Sequence, residues 1–333
     1  MTESLPCLLC SGPALRRHAA QPGYQAPRQF AIYHCDDCQT AFAQPLEVDP
    51  AVYEAIYRSF EATPGYARYG DYSREVTSAP DPLAHLAERE DVYWGIRQYI
   101  DSKAGRKLKI LEIGSGLGYL TYSLSKRGHD AVGLELSETA VDAATKRYGP
   151  HYLCGELVAY SKTSGEKYDL VVATELIEHV PDVRAFLGAA VRLLQPGGDV
   201  VLTTPNRSAY PADVLWETEP PPVHLWWFSE KAIEALGKEL GLVTTFVDFT
   251  PYNRLDPTRP VIHVRNYQPT RGSVLDAAGN AYMGFAKRLL LKLGLRPALR
   301  TTKHVFQRAT HVFSPGKPEK RRTVLCAVMH QPT

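Results

Sequence analysis

No stretch of the 333-residue chain approaches the ~18 consecutive apolar residues that cross a bilayer, which argues against a helical membrane protein. Met1-Thr2-Glu3-Ser4 has no basic region leading into an apolar run, so no secretory signal is expected and the chain reads as cytoplasmic. Cysteine is scarce. Of six, four fall within the first 38 residues as Cys7-x-x-Cys10 and Cys35-x-x-Cys38, while Cys154 and Cys326 stand far apart. That distribution excludes a disulfide scaffold and fits a reducing compartment with a metal site. A surplus of charge is also missing, since 38 Lys/Arg against 36 Asp/Glu leave +2. The balance is uneven along the chain: residues 282–322 carry 11 Lys/Arg and one acid, Glu319, a basic lobe on a mildly acidic body. With 44% apolar and 22% charged residues, wholesale disorder is excluded, and the length suits two or three domains.

Residues 1–45 form a first unit in which two Cys-x-x-Cys knuckles flank Arg/Pro/Gln-rich sequence, with a short strand at 30–34. So short a segment cannot bury enough core to fold alone, and a metal staple makes physical sense. Residues 46–106 read as helical and rich in tyrosine, broken at Pro64-Gly65 and Pro80-Asp-Pro82. From 107 to 250 short apolar strands (109–114, 130–136, 151–155, 169–174, 199–204, 242–249) alternate with helical segments (119–127, 137–147, 182–194, 229–240). This predicts an α/β fold with a largely parallel sheet. Residues 251–322 are an insertion carrying the basic lobe, and 323–333 supply the final strand.

The most informative stretch is Ile110-Leu-Glu112-Ile-Gly114-Ser-Gly116-Leu-Gly118-Tyr, which leaves a strand and opens a helix. Glycines allow tight turning and let a backbone close on a ligand. A dinucleotide enzyme would share this loop. Glu112 inside the strand sharpens the pattern, and Glu135 ends the next strand 17 residues after Gly118. A carboxylate there suits the two hydroxyls of a ribose.

These residues resemble the class I S-adenosylmethionine-dependent methyltransferases. Tyr168-Asp169 through Thr174-Glu175 and Glu178-His179-Val-Pro-Asp182 are similar to the family's fourth-strand signature. Pro196-Gly197-Gly198 and Thr203-Thr-Pro205-Asn206 match its next turn and strand. The resemblance implies a Rossmann-like seven-stranded sheet, here with an N-terminal zinc ribbon and helical additions. It also implies S-adenosylmethionine at Glu112, Gly114, Gly116, Gly118, Glu135, Glu156 (toward the adenine), Thr174 and Glu175. The family's last two strands form an antiparallel hairpin, which the 251–322 insertion would interrupt.

An acceptor oxygen or nitrogen of high pKa needs a base, and histidine is the default. His179 follows the fourth strand at the carboxyl edge of the sheet, where it serves as base or as a structural hydrogen-bonding group. His224 lies in Pro220-Pro-Pro-Val-His224-Leu-Trp226-Trp227-Phe-Ser229, before a helix that Ser229 can cap. That segment resembles a pattern of bacterial methyltransferases associated with sugar-containing products, including natural products. Trp226, Asn206 and the tyrosines at 66, 69 and 72 are candidate acceptor contacts. Tyr66, Tyr69 and Tyr72, around glycines, suit a mobile cover better than a regular helix. Trp226 either stacks on a sugar or packs into the core.

Cys7, Cys10, Cys35 and Cys38 have zinc-ribbon character, a closed structural Zn2+ site. The expected reaction is methyl transfer to a hydroxyl of a sugar-containing small molecule or glycan. The basic 282–322 region offers a surface for a lipid-linked acceptor or an anionic membrane, peripheral at its inner face. A zinc ribbon before such a domain also resembles certain ribosomal RNA guanine methyltransferases, which keeps an RNA base methyltransferase open. An acidic body makes nucleic acid the weaker partner. A non-catalytic cofactor-binding or assembly protein is the remaining alternative.

Overall fold

The computed structural model describes residues 3–58, 63, 66–209, 219–255, 272–282 and 323–332. Of the basic 282–322 lobe only Tyr282 is among the described residues, and it is exposed.

Four strands open the chain: β1 (Ser4–Pro6), β2 (Pro13–Pro22), β3 (Gln29–Cys35) and β4 (Ala41–Gln44). Only part of β3 was expected from the sequence, because polar and proline-rich residues conceal the alternation elsewhere. Four helices follow: α1 (Pro50–Arg58), α2 (Ala67–Glu75), α3 (Pro82–Arg89) and α4 (Asp91–Ser102). Asp81 caps α3 by accepting from the Ala84 amide, and Pro82 sits at its first position, where a missing N–H costs nothing.

The alternating region then runs β5 (Lys109–Ile113), α5 (Tyr119–Lys126), β6 (Asp130–Glu135), α6 (Glu138–Tyr148), β7 (Tyr152–Cys154), α7 (Leu157–Thr163) and β8 (Tyr168–Thr174). It continues with α8 (Val183–Arg192), β9 (Leu194–Pro205), β10 (Trp226–Trp227), α9 (Glu230–Glu239), β11 (Val243–Phe246), α10 (Thr250–Leu255) and β12 (Val324–His330). Seven strands pair in the order β11-β12-β9-β8-β5-β6-β7. β9, β8, β5, β6 and β7 are parallel, whereas β12 lies antiparallel between β9 and β11. The hairpin expected of 242–249 and 323–330 is therefore formed across the long insertion, with Val243 opposite His330. This is the Rossmann-like α/β sheet. Chain order reverses between β5 and β8, so the crevice at their carboxyl ends is a switch point.

Side chains alternate between two cores, one on each face of the sheet. Leu111, Ile113, Val171 and Ala173 join α8 and α9, while Ile110, Leu170 and Val172 join α4 and α5. Gly95 lets α4 approach β12, since a Cβ there would stand 2.9 Å from that of Cys326. The first core does not stop at the sheet. Cys7, Leu9, Ala14, Tyr33 and Phe42 belong to it, together with Trp226 and Phe228.

β1 to β4 make a second, antiparallel sheet, and its last strand is β10, contributed from beyond β9. Trp226 faces Phe42 and Trp227 faces Ala41. The 1–45 segment thus completes its sheet with Trp226 and Trp227, 184 and 186 positions downstream of their partners.

One position tests the packing under the glycine loop. A Cβ on Gly133 in β6 would stand 2.6 Å from the Ser115 side chain and 2.8 Å from Thr121 Oγ1. Gly133→Ala is expected to destabilise the protein by about 1–3 kcal/mol, measured by denaturant unfolding; an unchanged midpoint would contradict this packing.

Candidate active site

The loop after β5 turns through three left-handed glycines, Gly114 (φ 69°), Gly116 (φ 51°) and Gly118 (φ 79°). At Gly118 a side chain would also meet Ala144 and the Tyr152 ring at 2.7 Å. Beneath the loop, Glu112 is buried and its Oε2 accepts from Thr121 Oγ1; burial pushes its pKa up to about 8. Glu135 ends β6 with one carboxylate oxygen on the Gly116 amide (2.8 Å) and the other on the Ser137 amide (3.0 Å). It is thereby locked at the mouth of the glycine turn. Gly133, which lets the loop seat on β6, carried no signal in the sequence, because nothing distinguishes a glycine in a strand from a tolerated one.

Glu156, expected toward the adenine, is exposed and caps α7, both oxygens accepting from the Val158 and Ala159 amides at 2.8 and 2.7 Å.

At the carboxyl end of β8, Thr174 pairs with Thr203. Glu175 next adopts φ 48°, an uncommon conformation for a residue with a side chain. Its amide donates to the Thr203 carbonyl (3.0 Å), and its Oε1 is buried with no hydrogen-bond partner among the described residues. Burial, then the neighbouring Glu178, holds its pKa well above the usual carboxylate range. Leu176 connects this turn to the glycine loop: a Cβ on Gly114 would stand 2.9 Å from its side chain.

Glu178, His179 and His224 converge. The Glu178 side chain is 0% exposed; Oε2 accepts from Thr204 Oγ1 (2.9 Å) and Oε1 has no hydrogen-bond partner among the described residues. Oε1 lies 3.9 Å from His179 Nε2 and 4.0 Å from His224 Nε2, and the two imidazoles meet edge to face at 4.7 Å. His179 Nδ1 stands 2.7 Å from the Val223 carbonyl, which assigns it as the N–H and leaves the lone pair on Nε2. Tyr53 of α1 packs on the His179 edge, its hydroxyl 3.3 Å from Nδ1. Desolvation pushes Glu178 up to about 8 and His179 down to about 4, so each resists charge alone. A charge passing between them would be stabilised by the other. Sequence reasoning named both histidines as candidate bases but missed Glu178 and Tyr53, because His224 lies 46 positions from Glu178 and Tyr53 126 positions from His179.

The three groups also count as possible metal donors, within 4.8 Å of one another. Their near-4 Å separations exceed the roughly 3.3 Å edge of a tetrahedral cage with bonds of about 2.0 Å.

The candidate acceptor contacts fare unequally. Tyr66 stands at the N-cap of α2, and Tyr69 and Tyr72 lie within it, contrary to the irregular cover expected; spacing by three places their rings along one helical face. They form an edge-to-face series, 66 to 69 to 72, that continues to Tyr93 and Tyr119 at the start of α5. Tyr72 is buried and donates to Glu90 (2.9 Å). Asn206 is buried and accepts from the Ser208 amide, a turn-forming role that leaves no face for an acceptor. Trp226 is likewise corrected: it is 2% exposed, packed between Phe42 and Phe228, and its Nε1 donates to the Val180 carbonyl (2.9 Å).

Away from the crevice, the four N-terminal sulfurs lie within 4.8 Å of one another. Cys7 Sγ is 3.6 Å from Cys38 Sγ, and Cys10 Sγ is 3.5 Å from Cys35 Sγ. A tetrahedral cation with bonds of ~2.3 Å needs sulfurs ~3.8 Å apart, so the donor set fits. Both knuckles close alike, with a left-handed residue after the second cysteine, Ser11 (φ 62°) and Gln39 (φ 59°). The Cys38 thiol hydrogen-bonds Cys7 and holds that thiol down at about 5.

Comparison with known proteins places a methyltransferase domain over the alternating region. A family model described as a methyltransferase domain matches residues 84–245. A ubiquinone biosynthesis O-methyltransferase from Methylococcus capsulatus is 39% identical over 115 residues, 32% of this chain and 46% of the relative. One from Parvibaculum lavamentivorans is 33% identical over 137 residues, 39% and 52% of the two chains. The chain spans about half the length of these curated relatives. Among solved structures, a SAM dependent methyltransferase from Archaeoglobus fulgidus covers 75% of this chain and is itself covered to 94%, at 12% identity and TM-score 0.45.

The position of Glu135 generates a direct prediction. Glu135→Ala should weaken S-adenosylmethionine binding by roughly 10- to 100-fold, the worth of about 1.5–3 kcal/mol for hydrogen bonds to a charged group. Calorimetric titration checks it, and unchanged affinity would contradict the ribose assignment.

Proposed function

We propose that the chain is an S-adenosylmethionine-dependent O-methyltransferase acting on a hydroxyl of a small organic acceptor. The observation that carries this is the buried Glu178 carboxyl about 4 Å from two imidazoles, on the loop that touches the glycine turn. The donor, when bound, supplies a methyl group on a sulfonium for in-line displacement. The glycine loop and Glu135 hold the nucleoside, with Glu175 following β8 at the same edge of the sheet. As the new O–CH3 bond forms and the S–CH3 bond breaks, the hydroxyl proton passes to His179 Nε2. Glu178, as carboxylate, stabilises the resulting imidazolium, and the Val223 carbonyl keeps the ring oriented.

The acceptor we favour is a sugar hydroxyl, on the pattern around His224 and the tyrosine series of α2. The names of the relatives favour a second reading, a phenolic hydroxyl, whose pKa near 10 demands less of the base. In either case zinc in the four-cysteine cluster is structural, because all four positions are filled by thiolates. The 282–322 lobe, if it serves recognition, suits an anionic or lipid-linked acceptor.

Transfer of labelled methyl to extracts split into glycan, phenolic and RNA fractions tests the reaction. Label in a hydroxyl-bearing small molecule or glycan is expected, and label confined to RNA would overturn the proposal. The pH dependence is specific. With Glu178 ionising near 8 and His179 neutral above about 4, kcat should rise with pH up to about 8 and then level. Glu178→Gln should erase that rise and lower kcat by ~10²–10⁴. A limb near 8 that survives in the variant would remove Glu178 from the mechanism.

A further inference from the structure

The four-cysteine module is joined to the candidate base by continuous backbone hydrogen bonding. Its second knuckle, Cys35 to Cys38, is the turn between β3 and β4, closed by the Cys35 amide on the Thr40 carbonyl (2.9 Å). β4 then pairs with the segment containing the histidine. The Ala43 amide donates to the Leu225 carbonyl (2.9 Å), and Trp226 and Trp227 continue the pairing opposite Phe42 and Ala41. On the far side of the same segment, the Leu225 amide donates to the Glu178 carbonyl (2.8 Å) and Trp226 Nε1 to the Val180 carbonyl. Leu225 therefore bridges the cysteine module and the Glu178 loop through its own peptide groups. His224 precedes it, and the Val223 carbonyl that fixes the His179 tautomer precedes that.

Two side chains bind the knuckles to the larger domain. Ser229 Oγ donates to the Cys38 carbonyl (2.5 Å) while accepting from the Ala232 amide at the start of α9 (3.0 Å). Arg184 of α8 donates to the carbonyls of Leu8 (2.9 Å) and Leu9 (2.5 Å), inside the first knuckle. Nothing in this arrangement resembles a module tethered by a linker to capture substrate.

We propose that the four-cysteine module is a positioning element for the proton-transfer group, setting His224 and the orientation of His179 by holding residues 223–229 against the Glu178 loop. The proposal rests on the proton-transfer reading of that group. It assigns positioning roles to Leu225, through its backbone, and to Ser229. The glycine loop and Glu135 share no hydrogen bond with the module among the described residues, so cofactor binding is independent of it.

The test uses the full-length protein with zinc, after chelation, and after zinc is restored, with metal content measured in each state. S-adenosylhomocysteine affinity, kcat and acceptor KM are read together with NMR of 13C-labelled histidine rings, His179 and His224 being assigned by single substitution. Removing the metal should leave cofactor affinity within about twofold, lower kcat at least tenfold and shift both ring signals, with zinc reversing all changes. Ser229→Ala, which keeps all four cysteines, should lower kcat in the same sense, and Ser229→Thr should restore it. A rise in acceptor KM alone, with unmoved ring signals, would make the module a docking surface and overturn the proposal. Loss of cofactor affinity in step with turnover would reduce it to a general folding role and also overturn it. If the zinc-loaded protein transfers no methyl, the function reading fails while the ring signals still decide the coupling.

Discussion

Everything in the proposed mechanism depends on a single buried carboxyl, that of Glu178, taken entirely out of water and given only one hydrogen-bond donor among the described residues. Leaving the second oxygen unpaired costs free energy, of the order of 1–3 kcal/mol for a buried polar group. The site holds that oxygen about 4 Å from two imidazole nitrogens. Desolvation alone would keep Glu178 protonated and His179 neutral at physiological pH. In the proposed mechanism Glu178 has lost its proton to solvent before transfer, and the carboxylate then neutralises the imidazolium formed when the acceptor's proton reaches His179.

The rest of the fold supplies the conditions for this. The parallel sheet delivers Glu135 and Glu175 to one crevice at the switch point, with the glycine loop between β6 and β8. Leu176 connects that loop to the proton-transfer group, so donor and base are held on touching turns. From the opposite side, the segment leading into β10 hydrogen-bonds the Glu178 backbone through the Leu225 amide. α1 adds Tyr53 against His179, and the tyrosine series of α2 extends from Tyr66 to Tyr119.

What was legible in the sequence was whatever depends on local order. Strand and helix alternation from 107 to 250 follows from short apolar runs bounded by turns, and the glycine loop from its position between a strand and a helix. The two cysteine knuckles are likewise a local pattern. Trp226 and Asn206 misled for one reason: a polar or aromatic side chain near a functional motif looks available until the element that consumes it is known. β10, only two residues long, and the turn at Asn206–Ser208 are those elements. The Glu178–His179–His224 group and the bridge through Leu225 depend on contacts between residues 45 or more apart, which no spacing announces.

The most direct measurement is a crystal structure with S-adenosylhomocysteine and a hydroxyl-bearing acceptor bound together. The account predicts the ribose on Glu135 and the acceptor oxygen between the sulfur and the Nε2 atom of His179, in line for transfer. An acceptor oxygen placed on the side of the sulfur away from His179 and His224, with Glu178 remote from any proton path, would contradict it.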